Sequence, residues 1–244
     1  MGTGWLFGAL LVAEVLGTIG GFGSSMLVMP LAAFFLPFDQ ALGLTALFHV
    51  FSNAAKIMLF RKGLDRRLLL HMGVPAVIGV VLGARLTAFL PGDTMQLLLS
   101  IALLVLALML FMLPTVRLEP STRNAGVGGA VSGFVAGLVG TGGAIRGLAL
   151  AAFDLEKSVF ISTSAWIDLG VDLSRTVVYA GQGYLTEQVW TYLPAMAVVS
   201  LTGTWIGRWV LGSVSQERFR RIVLLLVMLV ALVGGYRVLG AAAG

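Results

Sequence analysis

The sequence has no cysteine among its 244 residues and only two histidines. Without cysteine the chain cannot form disulfide bonds, iron–sulfur clusters or thiolate-ligated zinc sites. Two histidines far apart in sequence make a conventional metal centre unexpected, so we predict no metal and no cofactor. The motifs G-x-x-x-x-G-K-[ST], H-E-x-x-H and G-x-S-x-G are also absent, which argues against ATP hydrolysis, zinc proteolysis and serine hydrolysis. We therefore expect no catalytic residues and no enzyme activity.

Charged residues are scarce as well. They make up 11% of the chain, against 58% hydrophobic residues and a mean hydropathy of +0.99. Soluble domains contain about 25% charged residues, so this composition predicts a multi-pass α-helical membrane protein that is surrounded by lipid. The formal charge of +5 does not indicate a nucleic-acid partner, because the basic residues cluster in short segments between apolar runs.

Apolar stretches define the predicted architecture, and the fold class that they predict is all-α. A membrane-spanning helix needs about 20 apolar residues. Six stretches meet this length: 42–60, 68–90, 95–113, 158–180, 188–211 and 222–240. Two further stretches, 5–36 and 126–153, are each interrupted by a glycine-rich segment.

The two glycine-rich segments correspond to each other. The first reads Gly17-Thr-Ile-Gly-Gly-Phe-Gly-Ser-Ser25 and the second Gly137-Leu-Val-Gly-Thr-Gly-Gly-Ala-Ile-Arg146, so three glycines align at a spacing of 120 residues. Glycine at this density interrupts a helix, and a broken backbone at membrane depth must line a protein-enclosed or water-filled cavity. Two breaks at matching positions predict the substrate site of a transporter. The alternative is close helix packing through small residues, as in Gly79-xxx-Gly83.

The corresponding glycine-rich segments predict an internal duplication, with one repeat at 1–120 and the other at 121–244. We expect each repeat to contain a glycine-broken helical hairpin and three full spans, which makes the repeats inverted. Ten basic loop residues then share one side of the membrane and only Arg237 lies on the other, whereas a single crossing by each broken element gives a split of 7 to 4. The positive-inside rule favours the inverted arrangement, with both termini outside the cytoplasm. The ten residues are Arg61, Lys62, Arg66, Arg67, Arg117, Arg123, Lys157, Arg218, Arg220 and Arg221.

A polar face recurs on the second span of each half. Its four pairs of positions are each 119 residues apart: Thr45 and Ser164, His49 and Asp168, Asn53 and Asp172, and Lys56 and Arg175. The spacing puts each set on one helix face, so we expect both faces to meet at a central cavity. His49 and Asp168 are the positions predicted to carry a coupling proton.

Charges in the spans have a second candidate role. A charge at the centre of a membrane helix costs about 2.5–3.5 kcal/mol on insertion scales, so each one is a functional candidate. Glu14, Lys56, Asp172 and Arg175 form the predicted set of ion-pairing or coupling residues. The alternative for Asp172 and Arg175 is a purely structural ion pair, since buried ions are usually paired.

Arg146 follows the second break and lies near the start of the next half-helix. A helix N-terminus presents free N–H groups and a partial positive charge, which makes it an anion site. Arginine adds a planar fork that matches several oxygens, so we predict a small, oxygen-rich anion as substrate. We also expect a positive φ at Gly143. The predicted substrate-binding residues are Gly23, Ser24, Ser25, His49, Asn53, Thr141, Gly142, Gly143, Ala144, Arg146, Ser164 and Asp168.

Three segments of the chain carry a family resemblance. They are Gly20-Gly-Phe-Gly-Ser-Ser25 with Pro30-Leu31, the segment from Gly137 to Arg146, and Thr163-Ser-Ala165 with Asp168-Leu-Gly-Val-Asp172. With them the chain resembles, over essentially its whole length, the TauE/SafE sulfite-exporter family, also called the toluene sulfonate uptake permeases. The resemblance implies a transporter of sulfite or an organosulfonate, such as sulfoacetate, isethionate or toluenesulfonate, in a bacterial-type inner membrane. Ser24 and Ser25 stand where many members have further glycines, and the lack of cysteine argues against thiosulfate.

The sequence leaves other functions open. A channel, or a transporter for another small anion or a metal cation, is the alternative within transport. An intramembrane enzyme and a purely structural subunit are further alternatives. Buried charges at repeat-related positions argue against the structural subunit. The glycine motifs permit a homodimer without requiring one.

Overall fold

The computed structural model describes residues 3–20, 23–60, 63–112, 119–210 and 216–242. Every regular element within these residues is a helix, which agrees with the predicted all-α class. In chain order the helices are α1 Thr3–Gly20, α2 Ser25–Phe35, α3 Phe38–Leu59, α4 Arg66–Leu86, α5 Gly92–Met112, α6 Thr122–Val139, α7 Gly143–Ala151, α8 Lys157–Gly181, α9 Glu187–Thr191, α10 Leu193–Val210 and α11 Gln216–Ala242. A 3₁₀ turn over Thr87–Phe89 follows α4.

Six of these helices coincide with the six predicted membrane spans. Within the described ranges, four segments are long and apolar enough to cross a membrane: Phe38–Leu59, Arg66–Phe89, Gly92–Met112 and Val223–Gly240. α8 is long enough, with 25 residues, but its polar face makes it less apolar than those four. The fifth predicted span, 188–211, is divided at Tyr192 into α9 and α10. Large apolar side chains such as Trp209, which is 79% exposed, face outward as lipid-facing residues do.

Local sequence explains where several helices begin and end. The side chain of Asp65 accepts a hydrogen bond from Leu68 N at the start of α4, and Ser121 accepts one from Asn124 N at the start of α6. Each satisfies an N–H group that has no partner in the first helical turn. α6 ends because Gly140 adopts a left-handed φ of 78°, which glycine tolerates because it has no Cβ.

α3 and α8 pack against each other in opposite directions at the centre of the molecule. Asn53 Nδ2 donates to Asp172 Oδ2 over 2.7 Å. His49 lies one turn earlier in α3, yet it contacts Arg175, which lies one turn later in α8. Rising residue numbers in one helix therefore match falling numbers in the other. This arrangement brings the two predicted polar faces together.

Two other helix pairs cross in parallel and pack through glycine. Three glycines of α6 lie against α4: Gly129 against Met72, Gly133 against Ala76 and Gly137 against Val80. A Cβ at any of the three would collide with a backbone carbonyl of α4, so the close approach requires glycine. On the other side, α10 packs along α1, with Gly203 against Glu14 and Gly207 against Thr18. In that pair glycine makes room for polar side chains.

Helix positions repeat at the spacing found in the sequence. α1 and α6 begin 119 residues apart, at Thr3 and Thr122, and α3 and α8 begin at the same separation. A short helix, α2 or α7, follows each glycine-rich segment. The loop before α4 lies beside the first turns of α8, where Asp65 N donates to Thr163 Oγ1 over 3.0 Å. The basic residues at the start of α4 therefore lie at the same end of the molecule as the start of α8.

Candidate functional site

The two glycine-rich segments meet at the centre of the molecule. Gly23 lies against Gly143, and a Cβ on Gly23 would be 3.8 Å from the Gly143 Cα. Thr141 Oγ1 donates to Ser25 Oγ over 3.4 Å, which joins the second segment to α2. Among the described residues of these two segments, the left-handed glycines are Gly23 and Gly140, with φ values of 81° and 78°. The expected positive φ at Gly143 is wrong, because Gly143 is already the first residue of α7 and the chain turns three residues earlier.

A cavity of about 30 Å³ lies between these segments and the polar faces of α3 and α8. This volume accommodates about two water-sized molecules. Most of the predicted binding and ion-pairing residues line it: Gly23, Ser24, Ser25, His49, Asn53, Lys56, Gly142, Gly143, Arg146, Asp168, Asp172 and Arg175. Positions that the sequence separates by 119 residues therefore face one small space.

Four predicted residues do not belong to this lining, namely Glu14, Thr141, Ala144 and Ser164. Ser164 hydrogen-bonds Arg146, and Thr141 hydrogen-bonds Ser25, so each contacts a residue of the lining. Glu14 lies on α1 and, among the described residues, contacts the lining through Lys56.

Three lining residues were not predicted from the sequence: Ala136, Gly140 and Val171. Gly140 belongs to the second glycine-rich segment, so the motif itself was the signal that could have found it. Ala136 and Val171 carry no polar group. Their only signal is their place about one turn from Gly140 and Asp168 on the same helices.

Arg146 reaches the cavity from the first turn of α7. Two of its guanidinium nitrogens contact the two carboxylate oxygens of Asp168 on α8, each over 2.5 Å. Its Nε donates to Ser164 Oγ over 3.3 Å. Arg146 is buried and Asp168 is 18% exposed in this bidentate pair, which links α7 to α8. Asp168 thus neutralises Arg146, and an anion that binds this guanidinium has to compete with the carboxylate.

Arg175 is held by more partners than the other cations of the cavity. Its Nε donates to Asp172 Oδ1 over 2.8 Å. Its Nη1 lies 3.3 Å from the carbonyl oxygens of both Ala136 and Gly140. These carbonyls lie at the C-terminal end of α6, which carries the partial negative charge of the helix dipole. Arg175 therefore caps the C-terminal end of α6 and links α8 to it. These contacts fit a structural role for the Asp172–Arg175 ion pair.

The ring of His49 has a defined tautomer. Arg175 Nη2 lies 3.0 Å from His49 Nδ1, and arginine can only donate. Nδ1 is therefore the acceptor, and the proton of the neutral ring is on Nε2.

Two buried polar atoms of the lining have no hydrogen-bond partner among the described residues. They are His49 Nε2, on a residue that is 5% exposed, and Ser24 Oγ, on a residue that is 1% exposed. Buried polar groups are rarely left in this state. The cavity thus contains two neutral donors that the described chain does not satisfy.

Lys56 is the third cation of the lining. Its Nζ lies 3.2 Å from Glu14 Oε1 and donates to Ser52 Oγ over 2.8 Å. Around the cavity, in the part of the chain that the structure describes, Lys56, Arg146 and Arg175 each contact one carboxylate. Helical spacing reveals only the pair within α8. The other two pairs join different helices, so they depend on the packing.

Comparison with known proteins adds independent findings. The family model described as sulfite exporter TauE/SafE matches residues 6–233. The chain is 25% identical over 233 residues to the probable membrane transporter protein YdhB of Bacillus subtilis (strain 168), and the match covers 88% of this chain and 90% of that protein. No solved structure matches. The resemblance predicted from the three sequence segments is thereby confirmed.

Proposed function

Because the chain belongs to the sulfite exporter TauE/SafE family, which is a family of membrane transporters, we propose that it is a secondary transporter for a small sulfur oxyanion. The proposed substrate is sulfite or an organosulfonate such as sulfoacetate or toluenesulfonate. It binds where the two glycine-rich segments meet. At about 30 Å³ the cavity is too small for an organosulfonate in the state described here, so binding of any of them requires the site to widen.

The observation that carries this proposal is the pair of unsatisfied donors, His49 Nε2 and Ser24 Oγ. An ionised oxyanion only accepts hydrogen bonds, so it matches N–H and O–H groups that have no other partner. The start of α7 adds backbone N–H groups and the positive end of a helix dipole. Arg146, in the same turn, supplies a formal charge with a fork that can contact two oxygens.

Charge balance supports proton coupling at Asp168. The ion pairs around the cavity cancel, so an entering anion adds uncompensated negative charge to a membrane-buried site. A proton on Asp168 would remove this excess and release Arg146 to the anion at the same time. His49 fits the coupling role less well than the sequence predicts, because Arg175 already donates to its second nitrogen.

We further propose that residues 1–120 and 121–244 are inverted repeats that share this site. The opposite directions of α3 and α8 support the proposal. So do two contacts between residues at equivalent repeat positions, Asn53 with Asp172 and Gly23 with Gly143. Equivalent residues can touch only near the axis that relates the repeats, so the proposed anion site lies on that axis, where inverted-repeat transporters bind their substrates.

The test is calorimetric titration of the purified protein with sulfite, isethionate and toluenesulfonate. Ser24→Ala and His49→Ala each remove one unsatisfied donor, and we expect each to weaken anion binding by roughly 5-fold to 150-fold, the equivalent of about 1–3 kcal/mol. Ser200→Ala is the matched control, because Ser200 is equally buried but bonds the Ala197 carbonyl in its own helix. Failure of the unmodified protein to bind or transport any of the three anions in vesicles would contradict the proposal.

A further inference from the structure

We propose that Glu14 is a second proton site, coupled to the anion cavity by Lys56. The proposal rests on the proposed function, because it names a further coupling residue of the same transporter. The Glu14 cluster is defined here as Glu14, Thr18, Ser52, Lys56 and Thr204, and it joins α1, α3 and α10.

The hydrogen bonds of Glu14 are distributed unevenly between its two oxygens. Oε1 accepts from Ser52 over 2.5 Å, Thr204 over 3.0 Å and Thr18 over 3.3 Å, and it also contacts the Lys56 ammonium. Glu14 is 0% exposed, so Oε2 is buried, and this oxygen has no hydrogen-bond partner among the described residues. A carboxylate oxygen with a bare, buried lone pair is open to a proton, and a proton can bind there without displacing any of the groups on Oε1.

The Glu14 cluster has no counterpart in the second half of the chain. At the 120-residue spacing that aligns Gly17 with Gly137, Glu14 and Thr18 match Phe134 and Leu138, and the position 119 residues after Ser52 is Val171. Beside Phe134 and Leu138 in α6, Gly133 and Gly137 pack directly on the backbone of α4. A parallel helix crossing of this kind is therefore built without any buried carboxylate, so holding two helices together does not explain Glu14.

Lys56 connects Glu14 to the cavity. It is the cation of the lining with the fewest partners, since Arg146 and Arg175 are each held by several hydrogen bonds. Its ammonium has three donors, and two of them are occupied, by Glu14 and Ser52. Lys56 itself lines the cavity. The flexible lysine side chain can therefore exchange its carboxylate partner for an anion oxygen.

The coupling step balances in atoms, and together with the proton on Asp168 it supplies two positive charges, which compensate a divalent anion such as sulfite. When the anion enters, the Lys56 ammonium leaves Glu14 for an anion oxygen, and the carboxylate takes one proton from solution, forming one O–H bond. When the anion leaves, the proton dissociates and the ammonium returns. Among the described residues, the other polar groups that contact Glu14 are the hydroxyls of its cluster. Arg208, one turn beyond Thr204, is directed to the Phe60 ring, 5.5 Å from its centre. α2, which also packs on α1, has no titratable residue.

The experiment measures protons taken up per anion bound by the purified full chain, in weakly buffered solution with a pH-indicator dye. The anion is whichever of sulfite and isethionate binds in the calorimetric titration, and protons carried by the ligand cancel when variants are compared. We expect Glu14→Gln to take up roughly one proton fewer than the unmodified protein. Asp168→Asn should lose a proton separately. Glu187→Gln, the same change at an exposed carboxylate, should lose none.

The outcomes separate this inference from the proposed function. Absence of anion binding by the unmodified protein overturns both. Anion binding with equal proton uptake in Glu14→Gln overturns only the role of Glu14, whatever Asp168→Asn shows. If Glu14→Gln does not fold, Lys56→Met replaces it, because the proposed coupling passes through the ammonium and its removal should again lower the uptake by roughly one proton. Proton uptake that depends on Glu14 only when sodium is absent would assign the site to sodium instead, and would overturn the proposal.

Discussion

At the scale of single residues, Arg146 provides the most direct test of the anion site. Charge-assisted hydrogen bonds contribute about 1.5–3 kcal/mol, so Arg146→Ala should weaken sulfite or sulfonate binding roughly tenfold to over a hundredfold. Arg146→Lys should recover only part of the affinity, because an ammonium cannot contact two oxygens as a planar fork does. Calorimetric titration of the purified variants measures both effects.

A control is needed because Arg146 is also the ion-pair partner of Asp168. Removing the guanidinium alone leaves a carboxylate that repels anions. The double variant Arg146→Ala with Asp168→Asn removes both charges, so any affinity still missing there belongs to the lost contact with the anion. Normal affinity in a folded Arg146→Ala protein would exclude Arg146 from the site and leave the helix ends and neutral donors as the anion-binding groups.

Residue identity and spacing were enough to predict most of the polar side chains that surround the cavity, but not how they pair. The repeated faces of α3 and α8 were visible because each depends on spacing within one helix. The Arg146–Asp168 contact and the tautomer of His49 depend on partners from other elements, 22 and 126 residues away in sequence. No periodicity encodes such distances, so the chemistry of these groups required the packing.

At the scale of elements, the glycines of α6 should be essential for the crossing with α4. Gly137→Ala places a methyl group on the Val80 carbonyl, and overpacking of this kind costs about 1–3 kcal/mol. Gly8→Ala is the matched control, because nothing lies within 4 Å of a Cβ at Gly8 and alanine favours a helix by about 0.5–1 kcal/mol over glycine. Thermal unfolding in detergent, followed by tryptophan fluorescence, should show a lower melting temperature for the first variant only. Equal melting temperatures would contradict the packing.

The helices were predicted more accurately than the points at which they are interrupted. Long apolar stretches predict helices because a membrane-length run has few alternatives, and the six predicted spans coincide with α3, α4, α5, α8, α10 and α11. The division at Tyr192 was not predicted, although Pro194 follows it in the first turn of α10, where proline is tolerated. The break after α6 was predicted, but the left-handed residue is Gly140 and not Gly143. Several neighbouring glycines can each adopt that conformation, and only packing selects one.

At the scale of the whole molecule, the proposed inverted repeats make a specific prediction about sidedness. The start of α4 carries exposed basic residues at the same end as the start of α8, and the positive-inside rule assigns that end to the cytoplasm. In the inverted arrangement both chain termini then lie outside. The chain has no cysteine, so single cysteines can be introduced without a background signal.

We expect Gly2→Cys and Ala243→Cys to react with a membrane-impermeant maleimide on intact cells, and Leu64→Cys and Ser215→Cys to react only after permeabilisation. Of these positions only Leu64 belongs to the described residues. Permeabilised cells in which all four variants react provide the control for accessibility. Labelling of Leu64→Cys and Gly2→Cys from the same side would contradict the inverted arrangement. An equivalent pair such as Asn53 and Asp172 would then lose its place on a repeat axis, because repeats inserted in the same direction cannot be related by an axis in the membrane plane.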